Sequence, residues 1–556
     1  MRVLIFHGYL LRGTGSNIYN ASLAGALVRA GHEVHLLCQE RHPGELPFVD
    51  AVGEWAGGAL TVEVMRQPVR CTVYRPDIGG LLPVYVADRY EGIEAKPFAE
   101  LSEDELAAYL ERNVAAVREV AERVAPEAAL ANHLVMGPAI LARAGLPYAM
   151  KVHGSALEYT VKPHPRFLPY AREGTRSARA VLVGSRHTAQ SLWTALGEPD
   201  LPGRTRLGPP GVDVEAFAPR EAEEAAAGVA RLAERLAFAA SAAEAAPRAQ
   251  AALSAEAALS AEAALSAEAA LSREAPLPVE GSPPKSAARP PGESSFARDT
   301  AAAARAVASL RPGRDRLVVF VGKLIVSKGV DLLLAAWPLV RARVPDARLV
   351  VVGFGAWEEQ ARRLQNALAR GDLGQARAIA REGRAAEGGA AKPLGHLRAF
   401  LDGVDPHELG DAPGAVVFTG RLEHSELAEL LPAAEALVVP STFPEAFGMV
   451  AAEAAACGTL PIGAAHSGLA EVAAMLAERL PEAVRPWLTF PLDDEPVRGI
   501  ADRLVAWLDA PEEVRAQSRA ALVATARERF SWDGVALGVL AAAEGRLTAP
   551  ELRPLG

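Results

Sequence analysis

Two doubly wound α/β domains in tandem are what this sequence predicts, and three observations point there. Short apolar runs alternate with helical stretches over residues 1 to about 215, the same plan recurs from 316 to about 525, and the 556-residue length exceeds one ordinary core. Strands separated by helices imply a parallel sheet covered on both faces. Two such domains leave a cleft between the carboxyl ends of their strands.

In the first half the strand signals are Val3 to Phe6, Glu33 to Leu37 after the turn at Gly31, Ala149 to Val152 and Ala180 to Val183. Helices are predicted over 17–30 and 102–124. The second carries the apolar stripe Leu106, Leu110, Val114, Val117, Val120 and Val124, with Ser102 and Glu105 placed as a capping box. In the second half the strands are Leu317 to Val321, Arg348 to Val352, Val416 to Phe418, Ala436 to Val439 and Leu460 to Ile462, with a helix over 329–343. The expected domains are therefore 1–219 and 311–525, followed by a C-terminal helical segment, 526–556.

Two stretches interrupt the plan. Residues 220–310 contain ALSAEA at a six-residue period, which places Leu253, Leu259, Leu265 and Leu271 about 120° apart around a helix, so they never form one face. With the Pro/Ser/Gly-rich run 276–295 behind it, this stretch is expected to be a mobile, Ala-rich low-complexity insertion and linker. A second insertion, about 365–412, is compatible with a short helical pair.

Composition narrows the function classes. A formal net charge of -10 argues against a general nucleic-acid binder. Cys38, Cys71 and Cys457 are far apart and odd in number, giving neither a disulfide framework nor a metal-ligand spacing, so a reducing cytoplasm is the simplest setting. Cys457 is expected to be a small buried residue rather than a nucleophile. No segment approaches the roughly 20 apolar residues of a membrane span, which leaves peripheral membrane contact open.

The richest stretch is PSTFPEAFGMVAAEAAACG, residues 440–458. An apolar strand ends at Pro440, and a helix of high propensity starts near Val450, so free N–H groups around Phe447, Gly448, Met449 and Val450 would face an anion. Glu445 and Glu453 bracket that start. Eight helical steps cover roughly 12 Å, enough for the two carboxylates to hold opposite ends of a sugar diphosphate nucleotide. Spacing alone proves little, because Glu103 and Glu111 share it on the wet face of an ordinary helix. Gly322 to Gly329 follows the first strand of the second domain, and its Lys323 and Lys328 can meet the same phosphates, although two surface lysines in a turn would look alike. Gly13 and Gly15 lie between the first strand and the first helix, where small residues let backbone approach a ligand. Neither this loop nor Gly353-Phe354-Gly355 is a dinucleotide fingerprint, and a Walker A loop is absent. His153 follows a strand and precedes Gly154, so its ring should reach the cleft edge, with His7 a weaker candidate of the same kind.

Together these motifs resemble the retaining glycosyltransferases of family 4, which have the GT-B fold. The resemblance covers most of the chain outside the insertions and includes residues 25–34, His153-Gly154, 183–185, 211–213 with Phe217, 322–331, 418–422, 440–458, 467–471 and 530–532. It implies that Lys323 and Lys328 bind the donor diphosphate, Glu445 contacts donor-sugar hydroxyls, and Glu453 holds the ribose. By the same resemblance Gly15 approaches the diphosphate on closure, His153 contacts the transferred sugar, Leu422 meets the base through its backbone, and the segment around Trp532 returns to the first domain. Lys323 stands where the family usually has arginine, which keeps the charge and loses the planar fork. Pro444 is one residue more than the commonest form of the motif before Glu445.

The implied function is transfer of a hexosyl-type group from a nucleotide diphosphate sugar, with UDP-sugars favoured by family frequency, to a carbohydrate, lipid or small-molecule acceptor. Retention and metal independence are expected, with no tightly bound cofactor and no metal site. Two alternatives are a catalytically weak nucleotide-sugar-binding protein and another GT-B-like enzyme, an epimerase or a phosphorylase. The acceptor is expected on the first domain, where Trp55, Tyr74, Tyr85 and Tyr90 offer stacking surfaces or ordinary core and rim aromatics.

Overall fold

The computed structural model describes residues 1–85, 94–265, 298–387, 392–409, 415–493 and 495–555, with side chains left out at 244–265 and 406. Tyr90, Leu271 and the run 276–295 fall outside the described residues. The first domain is a nine-stranded sheet in the order Thr205–Leu207, Ala180–Val183, Ala149–Val152, Ala128–Asn132, Arg2–Phe6, Glu33–Leu37, Cys71–Arg75, Ala51–Ala56 and Ala59–Val64. Only the last pair, a hairpin, is antiparallel. The second domain is a six-stranded parallel sheet, Val416–Gly420, Ala347–Val352, Arg316–Val321, Ala434–Val439, Leu460–Ala464 and Thr489–Phe490. The central strands of both sheets bury apolar runs, Val3 to Phe6 in the first and Leu317 to Phe320 in the second, as a sheet covered on two faces requires, although the first sheet also buries His35, Asn132 and Lys151.

The helices follow their local signals. Glu103–Val124 carries the expected capping box between Ser102 and Glu105 and buries Leu106, Leu110, Val114, Val117 and Val120. Trp532–Ala543 packs its Trp532, Val539 and Leu540 into the core of the first domain, so the chain's end crosses back over the junction. Gly211 permits that crossing, because a Cβ there would lie 2.4 Å from the Trp532 ring.

The first insertion differs from expectation. Residues 222–265 form one helix whose Val229, Leu232 and Leu236 lie in the core of the second domain with Ala303 and Val307 of the helix Thr300–Ala308. Arg298 pairs with Glu426 at 2.6 Å, and Arg220 pairs with Glu429. Both ends of the expected linker are therefore part of the second domain, because a three-four spaced apolar stripe precedes the leucine repeat. Within the second insertion, Leu373–Glu382 and Gly395–Gly403 bury Ile379, Leu397 and Leu401 in the same core. No helix among the described residues is long and apolar enough to cross a membrane.

Candidate functional site

Strand order reverses between Arg2–Phe6 and Ala128–Asn132 in the first sheet and between Arg316–Val321 and Ala434–Val439 in the second. Open α/β sheets bind ligands beyond the carboxyl ends of such strand pairs. In the second domain that crevice is bordered by the two segments singled out in the sequence, Gly322 to Lys328 after one strand and Pro440 to Gly448 after the other.

These two loops meet at an ion pair. The Lys328 ammonium donates to the Glu445 carboxylate, which also accepts the Ser441 hydroxyl at 2.5 Å. Burial alone would raise the Glu445 carboxyl, but Lys328, Ser441 and the nearby His466 carry it below its ordinary value. The Glu445 backbone is clamped from a distant segment: its N–H donates to the Ser467 hydroxyl at 2.9 Å, and its carbonyl accepts from Gly468 N–H at 2.9 Å. Gly468 must be small, since a Cβ there would lie 2.7 Å from the Phe447 backbone. The helix Met449–Ala456 then starts at Gly448, in left-handed conformation at φ +113 and without a side-chain cap. Ala451 N–H donates to Gly448 O at 3.1 Å, which leaves the N–H groups of Met449 and Val450 open to an anion.

Glu453, 3% exposed, lies on that helix with its Oε1 at 2.9 Å from His424 Nε2. His424, unremarked in the sequence, packs its ring 4.7 Å from Phe217, in the segment leading out of the first domain. Burial would lower the imidazole, yet the carboxylates of Glu453 and Asp213 outweigh it and raise its pKa. The charged pair therefore stabilises the fold in full below the ordinary value of about 6.5 and loses that contribution as pH rises through the raised value. Between about pH 6 and about pH 8.5, the wild type is expected to lose more Tm than His424→Gln. Equal losses, read by calorimetry, would remove the pair from the account. Leu422, buried, follows the strand Val416–Gly420 on the same side.

The crevice of the first domain is lined by rings. His153 Nε2 lies 2.9 Å from Asn132 Oδ1, while the Asn132 amide donates to Phe6 O at 3.3 Å. Asn132 Oδ1 is thus the acceptor, Nε2 of His153 carries the proton, and its Nδ1 presents a lone pair. Burial, then the neighbouring His133, Lys151 and His7, push its pKa well down, so the ring is neutral. His7 is structural: Nε2 is shared by Leu10 O and Asn17 Oδ1 at 3.0 and 3.1 Å, and Nδ1 accepts from Asn20 at 3.0 Å. His133 escapes the sequence reading because the strand before it, Ala128–Asn132, does so too. It has φ +68, is 2% exposed, and neither ring nitrogen has a hydrogen-bond partner among the described residues. Its ring lies 4.7 Å from Tyr85 and 5.0 Å from His153. Of the other aromatics, Tyr74 is buried against His35, and Trp55 donates to Glu119 at 2.7 Å, away from this cluster.

The two crevices face one another. A Cβ on Gly15 would lie 3.7 Å from Met449 Sδ, and one on Gly154 would lie 3.1 Å from Ala446 Cβ. Gly13, at φ +94, turns the chain into the helix Gly15–Arg29. Tyr159 stacks on Phe443 at 5.6 Å, and Glu471 accepts from the N–H groups of Arg186 and His187 at 2.8 and 2.9 Å, capping a helix of the opposite domain. Cys457 is buried, and burial raises its thiol far above the usual range. Among the described residues no group of three or more His, Cys, Asp or Glu side chains is placed to hold a metal ion.

Both halves of the chain are similar to known proteins. A model described as "Glycosyl transferase 4-like domain" matches residues 14–202, and two described as "Glycosyl transferases group 1" match 315–381 and 410–482, so 382–409 falls between them. D-inositol 3-phosphate glycosyltransferase from Segniliparus rotundus is 32% identical over 277 residues, 49% of this chain and 50% of that protein. Its counterpart from Mycobacterium tuberculosis is 32% identical over 248 residues, 43% of this chain and 39% of that protein. The chain thus spans half the length of these relatives or less. Among solved structures, HepE from Anabaena in complex with UDP and glucose aligns with a TM-score of 0.54 at 14% identity, covering 99% of this chain and 100% of that one. Sucrose-phosphate synthase from Thermosynechococcus elongatus aligns with a TM-score of 0.51 at 17% identity, covering 96% of each chain. At these identities the structures show a shared fold.

Proposed function

The chain belongs to the group 1, family 4-type glycosyltransferases of GT-B fold, and from that premise we propose that it moves a sugar from a nucleotide diphosphate sugar, with a UDP-sugar the first choice, to a hydroxyl of an acceptor held by the first domain, with retention of configuration. One observation carries the reading: the Lys328–Glu445 pair sits at the switch point of the second domain, beside an uncapped helix start, with the first domain's crevice facing it.

Lys328, Lys323 and the helix start neutralise the diphosphate as it leaves. The bond between the sugar C1 and the phosphate oxygen breaks with its electron pair going to the diphosphate. The acceptor oxygen bonds to C1 from the same face, and its proton passes to the departing phosphate oxygen. Glu445 orients donor-sugar hydroxyls, the neutral His153 accepts a hydrogen bond from one at Nδ1, Glu453 holds the ribose, and Leu422 meets the base. In this account no metal ion is required, and a cytoplasmic site of action follows from the nucleotide donor. The acceptor is a carbohydrate, a lipid or a small molecule.

A thermal-shift panel of UDP-, GDP- and ADP-sugars on wild type and Glu453→Ala tests the donor half. At a hundred times Kd the matching donor contributes about 2.7 kcal/mol of stabilisation, which Glu453→Ala should largely abolish. A shift undiminished in the variant would count against the ribose role, and no shift with any donor against the reading as a whole.

A further inference from the structure

Resting on that donor reading, we propose that Arg384, in the stretch that neither group 1 model matches, is a further cation of the donor site and binds the distal, sugar-bearing phosphate through its guanidinium.

The insertion is tied to the lysine loop at two points. Trp357, fully buried, donates its N–H to Leu324 O at 2.9 Å and its indole Nε1 to Gly383 O at 3.1 Å. Glu387 accepts the Val326 N–H at 2.6 Å, midway between Lys323 and Lys328. Gly383 makes this possible: it has φ +53, and a Cβ there would lie 1.9 Å from Lys392 O. Arg384 and Glu387 are the ends of one 3-10 turn. Side chains three apart in such a turn eclipse each other, so Arg384 faces the side on which Glu387 reaches the loop.

The surroundings agree. The Tyr159 hydroxyl is made less acidic chiefly by burial and then by Glu445 and Glu158, and Arg384 opposes them, so its guanidinium is within electrostatic reach of the ring stacked on Phe443. Among the described residues the Arg384 side chain enters no ion pair and no hydrogen bond. Lys328 is met by Glu445, and Glu387 adds a second carboxylate to a loop with two lysines. That leaves the loop near neutrality, whereas a donor diphosphate brings two further negative charges. A planar fork aimed at phosphate oxygens supplies charge and direction together.

The test is calorimetric titration of wild type, Arg384→Ala and Arg384→Lys with UDP, GDP and ADP and with the matching monophosphates. For the diphosphate the wild type binds most tightly, Arg384→Ala is expected to weaken binding about tenfold or more, with Arg384→Lys in between and the monophosphate unchanged within about twofold. Equal weakening of both nucleotides, or of neither, overturns the assignment. So does unchanged diphosphate affinity with a raised acceptor KM, which would move the anion to the acceptor. A wild type that binds none of the three diphosphates overturns the donor reading itself, a result distinct from a wild type that binds while Arg384→Ala matches it.

Discussion

Lys328→Met is expected to lower kcat/KM by about 10²- to 10³-fold, the loss seen when one preorganised donor to a developing anion is removed. Lys328 is the only cation among the described residues seen to pair with Glu445, and it stands on the loop that borders the switch point. The substitution also strips Glu445 of its counter-charge, leaving a mostly buried carboxylate on the Ser441 hydroxyl and His466. Breaking such a pair from one side destabilises the fold, whereas replacing both partners is far milder. Lys328→Met/Glu445→Gln should therefore recover the melting temperature that the single variant Lys328→Met loses, without recovering turnover. Steady-state kinetics and thermal denaturation on wild type, Lys328→Met, Glu445→Gln and the double variant separate the two roles. A double variant that regains both stability and activity would show that Lys328 does no more than neutralise Glu445.

What the sequence could show depended on whether a signal was local. Pro440 to Gly458 was legible because strand end, turn and helix start are contiguous, and the structure reproduces them as Ala434–Val439 and Met449–Ala456. The clamp from Ser467 and Gly468 onto Glu445 was not, because its hydrogen bonds span more than twenty residues and arise from the pairing of Ala434–Val439 with Leu460–Ala464. Ala128–Asn132 lacks the β-branched residues that mark a strand, so His133 lost its place at a strand end. Nothing local in the sequence singles out His424, because its partner Glu453, 2.9 Å away, is 29 residues further along the chain. Alanine hides the docked part of the first insertion: Val229, Leu232 and Leu236 are the large residues of a real stripe set in an alanine-rich stretch that runs on into the faceless ALSAEA period. Glu387 and Arg384 belong to the same class, since only the fold brings the second insertion to the lysine loop.

Gly184→Ala is expected to cost about 10²-fold in kcat while leaving the affinity for a nucleoside diphosphate unchanged within about threefold, because misplacement of reacting groups by about 1 Å is worth that much. Gly184 is an approach point between the domains: a Cβ there would lie 2.8 Å from the carbonyl oxygen of Ala446 and 3.4 Å from Phe447 Cβ. The obstacle is backbone, which cannot swing aside as a side chain would. Ala446 is next to Glu445, whose backbone is already held by Ser467 and Gly468, so the loop has little room to retreat. The remaining way to relieve the contact is for the domains to stand apart, which draws His153 and Gly15 away from the donor loop. The side chains expected to hold the nucleotide, from Lys323 to Glu453, lie on the second domain and keep their places, while the first domain adds only the backbone approach at Gly15 on closure. The substitution should therefore separate binding from transfer, the signature of a step that needs both walls of the cleft. Gly203→Ala, in the same domain with nothing within 4 Å of its Cβ, is the matched control and should leave kcat unaltered. If Gly184→Ala turned over like that control, the apposition of the two crevices would play no part in catalysis. If it lost nucleotide affinity and kcat together, Gly184 would act on the donor loop itself rather than through closure.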